Sequence, residues 1–207
     1  MKVKKFIKKS WDFIWNSNSW QSWVVNVILA FILIKFIVYP GIGMIFGTGL
    51  PVVAVISESM EHPLGADWMT SRAYCENGPC SQEAWYINRG ISYADFQEFP
   101  FKNGFNKGDI MIIVGKYPSR IVVGDVIVFS SGKNYPIIHR VVAKKRVRQE
   151  YIFETKGDNN PSQITDSYLD ETNVPQGDIL GVASVKIPYL GFIKIWFTDA
   201  INLLHGK

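Results

Sequence analysis

The hydrophobic positions of the chain fall into one long run near the N-terminus and several short, separated runs after it. Between residues 13 and 57 the only charged residue is Lys35, and residues 23–39 are almost wholly apolar. If Pro40 kinks the helix without ending it, residues 24–46 can cross a hydrocarbon core of about 30 Å. We therefore expect a transmembrane anchor over residues 24–46.

The leader before this run, residues 1–23, is basic and amphipathic. Val3, Ile7, Trp11 and Ile14 recur at helical spacing with lysines between them, which predicts a helix lying along the membrane surface. The lysine excess predicts a cytoplasmic N-terminus, so the protein would cross the cell membrane once and keep residues 59–187 extracytoplasmic. A cleavable signal sequence is the competing interpretation, but its apolar region should span only about 7–15 residues.

The remaining hydrophobic runs are short, β-branched and divided by Gly, Pro, Lys and Asn. This pattern predicts a mainly β domain over residues 47–187, built as an antiparallel sheet or small barrel. The expected strands are residues 50–56, 109–114, 122–129, 136–143, 150–155 and 179–187.

Residues 62–107 interrupt the strand pattern with little periodicity but many aromatic side chains. A segment this long exceeds the usual loop of about 12–15 residues, and its aromatic content argues against disorder, so we expect a folded insertion. Cys75 and Cys80 flank an Asn-Gly-Pro turn inside it. On the oxidising side of a membrane these cysteines favour a disulfide over free thiols, and zinc would need more ligands. We expect no metal and no cofactor.

The C-terminal segment, residues 188–207, predicts a membrane-associated amphipathic helix. Nearly all its positions are apolar, apart from one narrow polar stripe whose residues recur every three or four positions. The stripe comprises Gly191, Lys194, Thr198, Asn202 and His205. Because residues 188–204 are slightly short for a span, an interfacial or oblique helix is favoured over a second crossing.

Composition and charge limit the classes of function. A chain of 207 residues with 47% hydrophobic residues can bury one sizeable core, so one main domain is expected. The formal net charge is only +4, and its excess is a terminal lysine cluster. Nucleic acid is therefore excluded as a partner, because no basic face is indicated.

A serine, a histidine and an acidic loop are the candidate catalytic residues. Ser59 follows the first expected strand, where a nucleophile would be held rigidly, although serine and proline also punctuate ordinary turns. Of three histidines, His205 belongs to the terminal stripe and His62 is too close in sequence to Ser59, which leaves His139. An acidic loop follows the His139 strand by one hairpin, and an acid there could orient the imidazole. Its aspartates are Asp158, Asp166 and Asp170.

Five short motifs together resemble the type I signal peptidases, in their archaeal and endoplasmic-reticulum branch. In chain order, they are Ser57-Glu58-Ser59-Met60, Gly108-Asp109-Ile110-Met111, Gly124-Asp125-Val126-Ile127-Val128-Phe129, Ile138-His139-Arg140-Val141-Val142 and Thr155-Lys156-Gly157-Asp158-Asn159-Asn160. Each motif is weak alone, but five in the family's order behind a membrane anchor form a specific pattern. The insertion over residues 62–107 departs from it, because much of the family has only a brief link there.

The resemblance implies a role for each matching residue. Ser59 matches the nucleophile, and His139 matches the general base, which is a lysine in the bacterial branch. Ser57 falls where a neighbouring hydroxyl supports the oxyanion site. The family's acid follows the Lys-Gly-Asp motif by a few residues, which points to Asp166. The intervening residues 161–165 make this spacing long, so Asp158 and Asp170 stay open as alternatives.

The function implied is a membrane-bound serine endopeptidase that removes signal peptides from secretory preproteins. Its expected partners are these preproteins, membrane lipid, and a translocation channel or accessory subunits. Two alternatives remain at this point. One is a non-catalytic, membrane-anchored adaptor or receptor module that binds through the aromatic insertion, and the other is a processing protease with a narrow clientele.

Overall fold

The computed structural model describes residues 2–63 and 68–190. The chain divides into two compact units, Met1–Ile45 and Phe46–Lys207, which are considered separately below. The C-terminal helix expected over residues 188–207 lies, from residue 191 onward, outside the described residues.

The first unit is helical. The N-terminal helix is joined to the next by a hydrogen bond of 2.6 Å from the Ser22 hydroxyl to the Phe13 carbonyl. Ser19 caps the second helix, because its hydroxyl accepts from the Ser22 N–H. The helical segments are α1 (Lys2–Asn16), α2 (Trp20–Leu33), a π-helical turn (Ile34–Val38) and α3 (Tyr39–Phe46). From α2 to α3 they form one apolar helix, Trp20–Phe46, long enough to cross a membrane.

Pro40 widens this helix instead of breaking it. Proline has no N–H, and its ring clashes with the carbonyl four residues earlier, so a regular α-helical turn cannot pass through it. The preceding turn adopts π geometry, in which the Tyr39 N–H donates to the Ile34 carbonyl. The kink expected at Pro40 is thus a local π bulge within a continuous helix.

The second unit is built on a curled antiparallel sheet of seven strands, which confirms the predicted mainly β fold. The strand order is β1-β4-β9-β5-β6-β7-β8, and the remaining two strands form a separate hairpin, β2-β3. The strands are β1 (Val52–Ala54), β2 (Arg72–Cys75), β3 (Gly78–Ser81), β4 (Ile110–Val114), β5 (Val126–Phe129), β6 (Ile137–Val147), β7 (Glu150–Lys156), β8 (Val174–Pro175) and β9 (Ile179–Ile187).

Both faces of the sheet are covered at β5, which explains why this central strand is apolar throughout. In β5 all four residues are buried. Val126 and Val128 pack into one core cluster, whereas Ile127 and Phe129 pack into another, as the two-residue alternation of a strand requires. The strand expected over residues 122–129 begins only at Val126, because Gly124 has a φ of 95° and occupies the preceding turn.

The described part of the insertion is folded around a cluster of aromatic side chains. After the β2-β3 hairpin it forms two short helices, α4 (Gln82–Ile87) and α5 (Tyr93–Gln97). Cys75 and Cys80 are joined by a disulfide across the hairpin, with their Cα atoms 5.9 Å apart. The insertion core includes Val142 of β6, so the insertion is packed on the same strand that carries His139. Its buried aromatic members are Trp68, Trp85, Tyr86 and Phe96.

Candidate active site

Ser59 lies in the turn that follows β1, beside the histidine selected from the sequence. The backbone of this segment is fixed where Val55 donates to the Asp109 carbonyl at 2.9 Å, and the Met60 side chain is buried. The Ser59 Oγ lies 2.9 Å from the His139 Nε2 and 3.1 Å from the Ser57 Oγ. The structure therefore brings Ser57, Ser59 and His139 together.

His139 is held by its strand and by a carboxylate. It lies in β6 opposite Ile127 of β5, and only 4% of its surface is exposed. Its Nδ1 lies 2.5 Å from the Glu171 Oε1. Because an ionised carboxylate only accepts hydrogen bonds, we assign the ring proton to Nδ1. Nε2 is then free to accept the Ser59 proton.

Glu171 is the acid beside His139, and the sequence analysis did not select it. It is fully buried; its Oε1 accepts from the Thr155 hydroxyl at 3.0 Å, and its Oε2 accepts from the Ile164 N–H at 2.8 Å. One signal was available in the sequence. Leu169 is one of the few apolar residues in this loop, which indicates that the chain turns toward the core there; it is buried, and Glu171 lies in the turn two residues later.

Asp166 and Asp170, expected near the histidine, serve turns of the same loop. The Asp166 carboxylate accepts from the backbone N–H groups of Tyr168 and Leu169, each at 2.8 Å. The Asp170 carboxylate accepts from the backbone N–H and the hydroxyl of Thr172, at 3.0 and 2.7 Å. Both aspartates are exposed, and neither contacts His139 in the described structure. Aspartate readily accepts bonds from backbone N–H groups two or three residues ahead, which is the role seen here.

Asp158, the other aspartate considered, is paired with Arg140. The guanidinium donates from Nε at 2.9 Å and from Nη2 at 2.7 Å, and the Tyr86 hydroxyl adds a bond of 3.0 Å. Burial alone would raise the pKa of Asp158, but Arg140 and a hydrogen bond from His62 outweigh it and hold that pKa well below its usual value. Neighbouring strand residues point to opposite faces, so Arg140 directs this carboxylate away from His139.

Arg140 is fully buried and uses all five of its N–H donors. Besides the two bonds to Asp158, Nη1 donates to the carbonyls of Pro100 and Gly124, and Nη2 donates to the carbonyl of Phe101. A guanidinium has five donors and no acceptor, so its hydrogen bonding is complete. Phe101 has a φ of 55°, an uncommon value for a bulky residue, and its carbonyl is one of these acceptors.

Lys156 is a second buried cation of the same region. Its ammonium donates to the Gln82 side-chain oxygen at 2.7 Å and to the Gly157 and Asp158 carbonyls at 3.1 and 3.2 Å. Burial lowers the pKa of Lys156 to about 7, although the nearby charge of Asp158 opposes the change. The pKa of the neighbouring Tyr86 is raised well above its usual value by burial and by the charge of Asp158.

The loop over residues 156–160, called the catalytic loop below, packs directly on Ser59. Its Asn159 N–H donates to the Ser59 carbonyl at 2.8 Å, and the Asn159 side chain donates to the Glu58 carbonyl at 3.1 Å. A Cβ on Gly157 would lie 2.9 Å from both the His139 Nε2 and the Ser59 carbonyl oxygen. The loop thus fits against the serine and histidine with no room for a side chain at Gly157.

An apolar cleft of about 340 Å³ opens beside the serine and histidine. It is bounded by β1 on one side and by the start of β6 on the other, with Ser57 and His139 at one end. Within the described sheet β1 pairs with β4 alone, so one edge of β1 faces this cleft unpaired. Among the described residues no cluster of His, Cys, Asp and Glu could hold a metal ion. The arrangement is suited to nucleophilic attack on an extended chain bound along β1.

The chain is similar to catalytic subunits of signal peptidase complexes from several fungi. It is 34% identical to the signal peptidase complex catalytic subunit sec11 of Schizosaccharomyces pombe over 158 residues, covering 72% of this chain and 68% of the relative. It is 25% identical to the subunit of Komagataella phaffii over 191 residues, which is 88% of this chain and 87% of that protein. The Candida dubliniensis subunit is 28% identical over 105 residues, 49% of this chain and 63% of the relative. No protein-family model matches the chain.

Proposed function

Because the chain belongs to the type I signal peptidases of the endoplasmic-reticulum type, we propose that it removes signal peptides from preproteins by serine catalysis. The observation that carries the proposal is the continuous hydrogen-bond chain from Ser59 through His139 to Glu171. It has the geometry of a nucleophile, a general base and an orienting acid. Glu171 takes the role that the sequence analysis gave to Asp166.

In the proposed mechanism, His139 accepts the Ser59 proton at Nε2 as Ser59 Oγ attacks the scissile carbonyl. Glu171 stabilises the imidazolium and keeps the ring in the required tautomer. His139 then gives the proton to the leaving amine, and the C–N bond breaks to leave an acyl-enzyme on Ser59. Water, deprotonated by His139, hydrolyses this ester and restores the free serine.

The oxyanion formed during attack requires donors beside Ser59. The Ser59 N–H has no acceptor among the described residues, and the Ser57 hydroxyl lies 3.1 Å from the Ser59 Oγ. Both groups are close enough to the nucleophile to donate to a developing oxyanion. We assign them that role, since donors placed before the reaction are worth about 10²–10³ in rate.

The substrate is expected to bind as an added strand on the free edge of β1. Main-chain hydrogen bonds to an edge strand supply affinity, and the apolar cleft beside Ser57 accepts the side chains. The helix Trp20–Phe46 tethers the enzyme where a signal peptide leaves the bilayer, with the lysine-rich N-terminus on the cytoplasmic side. The relatives are named as subunits of a complex, so we include accessory subunits among the proposed partners.

Cleavage of a preprotein by the full-length protein in detergent micelles or liposomes tests this function. Ser59→Ala and His139→Ala should each lower kcat/KM by at least about 10³-fold, because the nucleophile and base act as a unit. Ser130→Ala, at an exposed serine just after β5, is the matched control and should cleave normally. Mass spectrometry of the products identifies the cleaved bond.

Several precursors should be compared in the same assay. Cleavage of many at the signal-peptide junction supports a general signal peptidase, whereas cleavage of only one supports a processing protease with a narrow clientele. No cleavage by the wild-type protein, or full activity of Ser59→Ala, would reject serine catalysis and favour a non-catalytic adaptor.

A further inference from the structure

Gln82 of the insertion bridges both ends of the catalytic loop. It is the first residue of α4, and its side chain is fully buried. The amide oxygen accepts from the Lys156 ammonium at 2.7 Å, and the amide nitrogen donates to the Asn160 carbonyl at 2.9 Å. One side chain therefore ties residue 156 to residue 160 across the turn between them.

Other residues of the insertion also bind the catalytic loop or the residue just after it. The Tyr86 hydroxyl and the His62 Nε2 both bind the Asp158 carboxylate, at 3.0 and 3.1 Å. The Tyr74 N–H of β2 donates to the Pro161 carbonyl at 2.8 Å, just beyond the loop. Hydrogen bonds at an exposed surface would add little to the stability of the loop. Buried polar groups are costly to leave unpaired, so these buried bonds hold the loop in one position.

The catalytic loop is hydrogen-bonded to the backbone of the nucleophile segment. Asn159 lies between Lys156 and Asn160, the two residues that the Gln82 side chain binds, and it donates to the Ser59 and Glu58 carbonyls. The Asp158 N–H also lies 3.4 Å from the Met60 sulfur. The catalytic loop thus connects Gln82 to the Ser59 backbone, beside a second contact in which the Phe105 N–H of the insertion donates to the Met60 carbonyl at 2.9 Å.

We propose that the insertion is a clamp for the active site and that Gln82 is its central positioning residue. This inference rests on the proposed serine peptidase function. Gln82 does not line the cleft, which is formed by residues of β1, β6 and their flanking segments. The clamp should therefore set the position of Ser59 without changing how the substrate binds, so that its loss lowers kcat and leaves KM unchanged.

The first test measures preprotein cleavage by full-length Gln82→Leu, which removes both polar contacts at similar side-chain volume. Misplacement of a reacting group by about 1 Å costs up to about 100-fold in rate, so we expect kcat to fall between about tenfold and 100-fold. KM should stay within about twofold of the wild-type value, since uniform substrate binding is untouched. Gln176→Leu is the matched control: Gln176 accepts one bond, from the Tyr151 N–H, and its loss should leave kcat unchanged.

A second variant separates positioning from stability. Gln82→Leu deprives the Lys156 ammonium of one acceptor, so the double variant Gln82→Leu/Lys156→Met should recover thermal stability by removing that cation. Its kcat should stay low, because the loop is still unclamped. Tyr86→Phe, which removes only the hydroxyl bond to Asp158, should give a smaller fall in kcat with an unchanged KM.

The outcomes distinguish failure of the clamp from failure of the proposed function. Wild-type kcat in Gln82→Leu, a rise in KM alone, or recovery of kcat together with thermal stability in the double variant would overturn the clamp. Those results can coexist with cleavage that depends on Ser59. If wild-type protein does not cleave, or Ser59→Ala cleaves equally well, the serine peptidase function and the clamp both fail.

Discussion

Raising the pH from 7 to 9 should stabilise the folded protein, because Lys156 is buried with a pKa of about 7. In the unfolded chain this lysine keeps its proton up to a pKa near its ordinary value of 10.5. Between these two values the unfolded state binds more protons than the folded state, so the free energy of unfolding rises with pH. Below pH 7 both states are protonated, and the folded state carries the full cost of the buried ammonium.

The two pKa values set the size of the effect. The limiting slope is about 1.4 kcal/mol per pH unit for one proton, and integration from pH 7 to 9 gives about 2 kcal/mol. For the second unit, Phe46–Lys207, a change of about 2 kcal/mol corresponds to a rise in Tm of roughly 4–8 °C. The pH range of the measurement should stop at 9. Above about pH 10 Tyr86 ionises in the unfolded chain but not in the folded protein, where its pKa is raised, so the free energy of unfolding falls again.

Thermal unfolding of the full-length protein in detergent, followed by near-ultraviolet circular dichroism, measures this effect. The matched variant is Lys156→Met, which keeps an unbranched side chain but cannot titrate. Its Tm should be nearly independent of pH between 7 and 9. A wild-type Tm that is flat or falls over this range, or an equal rise in Lys156→Met, would show that Lys156 does not carry the effect.

Two further predictions concern the active site. Glu171→Gln should lower kcat by about 10²–10⁴-fold, because the imidazolium of His139 loses its carboxylate partner. The controls Asp166→Asn and Asp170→Asn should keep kcat within about twofold of the wild-type value. The reverse ranking in a preprotein cleavage assay would remove Glu171 from the site. Gly157→Ala should lower kcat by at least about tenfold, because its methyl group would lie 2.9 Å from the His139 Nε2 and displace the loop. An active Gly157→Ala enzyme would show that the loop can move without consequence.

The fold could be predicted because hydrophobic spacing reports it directly. The long apolar run corresponds to the helix Trp20–Phe46, and the short β-branched runs correspond to strands of the central sheet. The boundaries were less accurate where turn chemistry intervened. Gly124 and Asp125 form a turn inside the run expected to be one strand, since the Asp125 carboxylate accepts from the Val122 N–H at 2.9 Å.

The candidate active site could be predicted only in part, because its members are specified in different ways. Ser59 and His139 stand in motifs, and the structure places them 2.9 Å apart. Glu171 belongs to no motif; it reaches His139 through the path of an irregular loop after β7. Aspartate was favoured there by the family pattern, but the longer glutamate side chain is the one that turns inward.

Gln82 was missed for a more general reason. A glutamine at the start of a short helix carries no signal of its own, since its importance comes from Lys156 and Asn160, more than seventy residues later in the chain. Sequence patterns reflect the requirements of local structure, which involve residues close together in the chain. A buried polar bridge depends on partners that only the folded chain brings together.

The complete hydrogen bonding of Arg140 limits how far the enzyme could be simplified. A minimal version without residues 62–107 would strip this guanidinium of the Pro100 and Phe101 carbonyls and leave Asp158 without Tyr86. Arg140 and Asp158 would keep their two mutual hydrogen bonds but would meet water where the insertion now covers them. A shortened enzyme would therefore hold this loop through an exposed ion pair, which contributes less than a buried pair with complete partners. Anyone transplanting this serine and histidine to another scaffold would need to rebuild the cover over the pair as well as the pair itself.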